Sequence, residues 1–148
     1  MAVRVAKAAD QTRIGQIAEE AGLFPAAYLP EMIAPAFNGG AEAWRVHEQG
    51  GQIGGFAFAR PEEMADRTWN VLAIAVDASH REQGYATALL SNLESELDAR
   101  VIVIETTQLD DQDAARAFYE GKGYERQGHV KDFYGDGEDK IIFRKAIG

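Results

Sequence analysis

Apolar and polar residues alternate from Val3 to Lys7, the two-residue period of a half-buried strand. From Gln11 to Ala21 the period changes: Ile14, Ile17, Ala18 and Ala21 recur at helical spacing, with Asp10 placed to cap the helix and Gly22 to stop it. The apolar run from Leu23 to Phe37 is interrupted by Pro25, Pro30 and Pro35, which predicts short helical turns or a shaped loop rather than one long helix. Ala43 to Glu48 and Gln52 to Arg60 read as strands joined at Gln49-Gly50-Gly51, a hairpin. Trp69 to Val76 is almost continuously apolar, as in a central strand covered on both faces. Between Gly84 and Leu97, residues Leu89, Leu90, Leu93 and Leu97 share one helical face, and Val101 to Ile104 returns as a short buried strand, completing a β-α-β unit. Asp110 or Asp111 opens a helix running to about Lys122, with Gly121 and Gly123 near its end. Two last strands follow at Glu125 to Val130 and Asp139 to Lys145.

There are 148 residues, 46% apolar and 26% charged, with neither repeats nor a linker, so one α/β domain over 1–148 is expected. Cysteine is absent, which excludes a thiolate nucleophile and a disulfide framework. His47, His80 and His129 lack metal-ligand spacing, so no metal is expected. With 15 Lys and Arg against 24 Asp and Glu, the net charge of −9 opposes binding to a phosphate backbone; it favours a cationic substrate or serves solubility. No apolar stretch approaches a membrane span and the first residues lack the apolar core of a secretory signal, so neither nucleic acid nor membrane is an expected partner and a cytoplasmic location is.

The segment from Val76 to Leu90 carries the most chemistry. A buried strand passes through the polar turn Asp77-Ala78-Ser79-His80-Arg81-Glu82-Gln83 into an amphipathic helix. Free N–H groups and the positive dipole end of such a helix hold an anion with little help from side chains. Gly84 lets the backbone approach phosphate oxygens, Ala86 is small enough not to obstruct them, and Arg81 adds a local positive charge.

Arg81-x-x-Gly84-x-Ala86 after that strand resembles the acetyl-CoA pyrophosphate loop of the GNAT N-acetyltransferases, whose pattern is Arg/Gln-x-x-Gly-x-Gly/Ala. The segment from Gln112 to Tyr124 resembles the same family's Asn-x-x-Ala-x-x-Leu/Phe-Tyr-x-x-x-Gly-Phe/Tyr helix. Ala115, Phe118, Tyr119, Gly123 and Tyr124 match, and Gln112 stands where Asn is usual. The order of elements fits over nearly the whole chain. The resemblance implies a GNAT fold: a mixed, mostly antiparallel sheet of six or seven strands with a splayed central strand and about four helices.

The resemblance also implies that acetyl passes directly from the CoA thioester to an amine. The main chain of Leu72, Ala73, Ile74, Ala75 and Val76 would pair with the pantetheine arm. The loop of Arg81, Glu82, Gln83, Gly84, Tyr85, Ala86 and Thr87 would hold the pyrophosphate, and Gln112, Ala115, Phe118, Tyr119 and Lys122 would line the cofactor from the later helix. Tyr119 matches the family tyrosine that gives a hydrogen bond or a proton to the CoA sulfur; read without the family, Phe118-Tyr119 is an aromatic pair filling core. Glu105 takes the place of an acidic residue assigned as base in ribosomal-protein N-terminal-alanine acetyltransferases, which the chain's carboxy-terminal half also resembles; a structural carboxylate is the alternative. Tyr28, Phe37, Phe133 and Tyr134 are candidates for an aromatic wall around the amine, with Glu31, Asp132 or Asp136 meeting its charge.

The expected function is acetyl-CoA-dependent N-acetylation of a primary amine, on a small molecule or a protein amino terminus; the resemblance leaves monomer and homodimer both open, since related domains often associate through sheets and carboxy-terminal strands. A non-catalytic acyl-CoA sensor with the same fold is the alternative, and a globular scaffold with an unused turn at Arg81 to Ala86 is the third.

Overall fold

Seven strands and four helices occupy the described residues, 2–148, of the computed structural model: β1 Val3–Val5, α1 Gln11–Glu20, α2 Leu29–Phe37, β2 Ala43–Gln49, β3 Gln52–Pro61, β4 Thr68–Val76, α3 Tyr85–Glu96, β5 Val101–Thr107, α4 Asp113–Gly121, β6 Glu125–Gly135 and β7 Glu138–Ala146. The strands hydrogen-bond in the order β1-β2-β3-β4-β5-β7-β6. The β4–β5 pair is parallel, whereas β1–β2, β2–β3, β5–β7 and β6–β7 are antiparallel, which makes the expected mixed sheet. Residues up to 61 together with 72–98 form one compact unit, and 62–71 with 99–148 form a second.

In the first unit the predicted apolar stripe of α1 is buried at Ile14, Ile17 and Ala18. It packs in one cluster with Leu29 and Ile33 of α2, Trp44 and Val46 of β2, Phe56 and Phe58 of β3, and Ala73 and Ala75 of β4. Trp44 stacks on Phe58 with ring centroids 4.0 Å apart. Asp10 does not cap α1 as expected. Its carboxylate accepts from the Lys7 N–H at 2.7 Å and from two Arg4 nitrogens at 2.8 and 3.0 Å, closing the short turn Ala8–Asp10 that leads into the helix. The Pro-broken segment gives the turn Ala26–Tyr28 and the nine-residue α2. Pro35 lies inside α2 rather than ending it. Pro30 sits in the first turn, where a missing N–H costs nothing, and burial of Leu29 and Ile33 holds the remaining turns.

The second unit begins with the parallel pairing of Thr68–Val71 against Val101–Ile104; from Leu72 onward β4 belongs to the first unit. β7 pairs with β5 on one side and with β6 on the other, the latter through the predicted turn at Asp136-Gly137, where Gly137 has φ 76°. β6 extends five residues past the expected end at Val130, because the register jumps from Val130↔Lys140 to Gly135↔Glu138 and leaves Lys131 to Tyr134 in a wide bulge. Ile102, Ile104, Ile141 and Phe143 are buried, and the Tyr119 ring of α4 lies 6.0 Å from that of Phe143. Strand alternation therefore sends Glu105 and its cross-strand partner Ile142 to the opposite face.

Candidate active site

The turn ahead of α3 in the first unit is built by its backbone. Arg81 is extended, Glu82 has φ 62° and Gly84 has φ 82°, so two left-handed residues flank Gln83 immediately before α3. A left-handed non-glycine such as Glu82 is a strained conformation that clusters at functional sites. Alternation of this kind turns successive N–H groups toward one concavity, the geometry of an anion nest. The first bond of α3 runs from Ala88 N–H to the Gly84 carbonyl at 3.0 Å, so the amides of Tyr85, Ala86 and Thr87 remain outside the helical ladder. Arg81 is exposed beside them, with no ion pair among the described residues.

Three neighbours hold the turn in place. Asp77 accepts from the Ser79 N–H and hydroxyl, each at 2.8 Å, and pairs with Arg13 of α1. The Ser79 hydrogen bonds, followed by Arg13, pull the Asp77 carboxyl down to about 2. Arg13 also donates to the Ile53 carbonyl at 2.9 Å, and the Asp77 N–H donates to the Gly54 carbonyl at 2.8 Å. Gly54 is the unpaired residue of a bulge, since His47 pairs with Gly55 and Glu48 with Ile53. A Cβ at Gly54 would stand 2.6 Å from the Tyr85 ring and 3.1 Å from His80. That close approach lets Tyr85, the first residue of α3, lie between His47 and His80, at centroid distances of 3.6 and 5.3 Å.

In the second unit Tyr119 is packed among Phe118, Tyr124 and Phe143. Its burial pushes the phenol up to about 12, so the proton stays on oxygen at any physiological pH. The hydroxyl bonds to no described residue, yet it is not sealed from solvent. On the opposite face Glu105 is engaged at both oxygens: Lys140 Nζ lies 2.8 Å from Oε1, and Asn70 Nδ2 donates to Oε2 at 3.0 Å and to Glu62 Oε1 at 3.0 Å. The bulge in β6 lays Phe133 over the Lys140 ammonium, 4.0 Å from ring centroid to nitrogen, and sets Tyr134 edge-on to Phe133. Burial, then the charges of Glu105 and Glu138, raise the Tyr134 phenol above its ordinary value.

Of the residues expected at the site, the structure groups Glu105 with Phe133 and Tyr134, and it places Arg81 to Thr87 in the turn before α3 and its first helical residues. Leu72, Ile74 and Val76 are half-buried, whereas Ala73 and Ala75 are buried. On α4, Gln112 is the half-buried N-cap residue, Ala115 and Phe118 are half-buried, and Lys122, at the C-terminal end, has its ammonium 5.6 Å from the Phe118 ring. Tyr28 and Phe37 are exposed in the first unit and join no ring pair among the described residues. Asp132 is a turn residue: it has φ 54° and accepts the Gly137 N–H at 2.9 Å. Sequence reasoning missed Arg13, Gly54, Asp77, Asn70, Glu62 and Lys140. Of these only Gly54 carried a local signal, as half of a Gly-Gly pair inside a strand.

The acetyltransferase (GNAT) domain family matches residues 39–126. The fold is that of solved structures at low identity. A protein assigned to the GNAT acetyltransferases from Desulfovibrio desulfuricans is 24% identical, with 99% of each chain covered and a TM-score of 0.91. The ribosomal-protein-S18-alanine N-acetyltransferase of Escherichia coli is 24% identical over 99% of this chain and 93% of that one, with a TM-score of 0.80. An aminoglycoside 6'-N-acetyltransferase solved with coenzyme A is 18% identical over 100% and 98%, with a TM-score of 0.85. No curated protein matches the chain. A left-handed turn opening α3, a parallel β4–β5 pair and a buried tyrosine on α4, whose hydroxyl bonds to no described residue, agree with that family match, and the chain belongs to the GNAT family as an acetyl-CoA-dependent N-acetyltransferase.

Proposed function

We propose that the amides from Glu82 to Thr87, helped by Arg81, hold the acetyl-CoA pyrophosphate and that the main chain of Leu72–Val76 pairs with the pantetheine arm, past the last residue of the parallel pairing at Val71. The observation that carries this reading is the left-handed pair Glu82 and Gly84 ahead of an unpaired helix start.

The Tyr119 O–H donates a hydrogen bond to the thioester sulfur as negative charge develops there. A thiol titrates near 8.5, well below a phenol held near 12, so the tyrosine stabilises the departing sulfur by hydrogen bonding and keeps its proton. The acceptor nitrogen attacks as the free amine, and the proton it sheds goes to Glu105. Because both Glu105 oxygens already have donors, that transfer displaces one of them.

The acceptor is a primary amine of a small molecule or a protein amino terminus, reached past Phe133 and Tyr134. Structures with this fold carry names of both kinds, a ribosomal-protein alanine and an aminoglycoside. The test is calorimetric titration with acetyl-CoA, then CoA release against amines, polyamines, aminoglycosides and amino-terminal peptides. Binding with amine-dependent release is expected. Binding without release for any amine would make the chain a sensor, and no binding at all would overturn the nest assignment.

A further inference from the structure

We infer that Lys140 is a resident ammonium occupying the acceptor's cation subsite in the second unit, so that it decides which amines reach Glu105. The inference deepens the functional reading above and rests on it for the route of the acceptor.

Lys140 is held as an ammonium ligand would be. Its Nζ lies 2.8 Å from Glu105 Oε1 and 4.0 Å from the centre of the Phe133 ring, and its side chain is only 12% exposed. A carboxylate on one side and an aromatic face on the other is the chemistry by which alkylammonium ions are recognised. The register explains the placement. Glu105 faces Ile142 across β5 and β7, so Lys140 is its diagonal neighbour on the same face, and Lys140 pairs with Val130 where the β6 bulge begins.

The surroundings hold more negative charge than Lys140 balances. Glu62 shares the Asn70 amide with Glu105, and Glu138 acts on Tyr134 together with Glu105. Asn70 is buried, and its Oδ1 has no donor. Phe133 and Tyr134 form an exposed aromatic rim over this cluster. A lysine on a flexible stem is the kind of occupant that can leave. An incoming ammonium then replaces it on Glu105 and Phe133, in competition with a cation tethered to the same strand. The acceptor class that follows is a cationic alkylamine without an adjacent carboxylate, which the surrounding glutamates would repel.

The test compares the native chain with Lys140→Met and Lys140→Arg. Tetramethylammonium, which cannot be acetylated, is titrated calorimetrically into each. Lys140→Met is expected to bind it about tenfold more tightly than the native chain. KM for the acceptor should fall by about the same factor, with the KM for acetyl-CoA changing much less, and Lys140→Arg should behave as the native protein. Should Lys140→Met not fold, Lys140→Gln takes its place, with the same expectations. Equal tetramethylammonium affinity in the native chain and a folded neutral variant overturns the inference, as does an acceptor KM that rises. If the native chain transfers acetyl to no amine, the functional reading fails, while the tetramethylammonium titration still reads the subsite.

Discussion

The turn before α3 and the cluster around Glu105 are made of different material. The first is backbone: two left-handed residues and a row of amides, held from behind by Asp77, Arg13 and the Gly54 bulge. The second is side chains: a carboxylate, an ammonium, an amide and two rings, placed by strand register and a bulge. A site made of amides binds any diphosphate-like anion and tolerates most side chains but not a wrong φ. A site made of side chains is retuned by single substitutions. In the proposed function the unvarying donor is given to the first and the acceptor to the second.

The sharpest way to separate them is Tyr119→Phe, which should lower kcat by roughly 10²- to 10³-fold while acetyl-CoA affinity stays within a factor of two. Stopped-flow turnover and calorimetry on the same sample check both halves, and unchanged turnover would remove Tyr119 from the chemistry. Next in size is Gly84→Val. A β-branched residue at φ 82° costs at least about 1–2 kcal/mol, so the turn relaxes away from the geometry that aligns its amides. The KM for acetyl-CoA should rise about 10- to 100-fold with acceptor KM little changed, and an unaltered cofactor KM would break the backbone account of the turn.

Gly54→Ala tests the support behind the turn rather than the turn itself. Its Cβ would lie 2.6 Å from the Tyr85 ring, an overpacking of about 1–3 kcal/mol, read as a melting temperature lower by several degrees together with weaker acetyl-CoA binding. The smallest effect is the pH dependence of Asp77→Asn. The native carboxyl is held at about 2, below its ordinary 3.8, so its stabilisation is complete above pH 4 and is lost as pH falls through 2. The variant should melt lower than the native chain at pH 7, and the gap should close toward pH 2. A gap that stays constant would mean that the Ser79 and Arg13 bonds do not depend on the charge.

The two regions also differ in how far the sequence revealed them. Arg81, Gly84 and Ala86 lie within six positions, between a recognisable strand and a recognisable helix, so local pattern was enough to find the turn. Tyr119 was singled out only by its match to the family helix; read without the family, it is one of an aromatic pair filling core. Glu105 with Phe133 and Tyr134 were each legible as candidates, but their union with Lys140, Asn70 and Glu62 joins residues up to 78 positions apart, and no periodicity carries that information. Asp10 shows the opposite failure. Its capping role was plausible locally and lost to Arg4, a partner supplied by the pairing of β1.

Sequence alone determined the order of elements, the hairpin turns at Gly50-Gly51 and Asp136-Gly137, and the strand-turn-helix that leads into α3, because each depends on φ preferences and apolar spacing over a few residues. Only the tertiary structure decided that β7 lies between β5 and β6, that a bulge carries Phe133 over Lys140, and that Tyr119 and Glu105 face opposite ways across one sheet. Strand order and bulge position arise from which distant backbones exchange hydrogen bonds, and a one-residue change in that register turns every side chain to the other face.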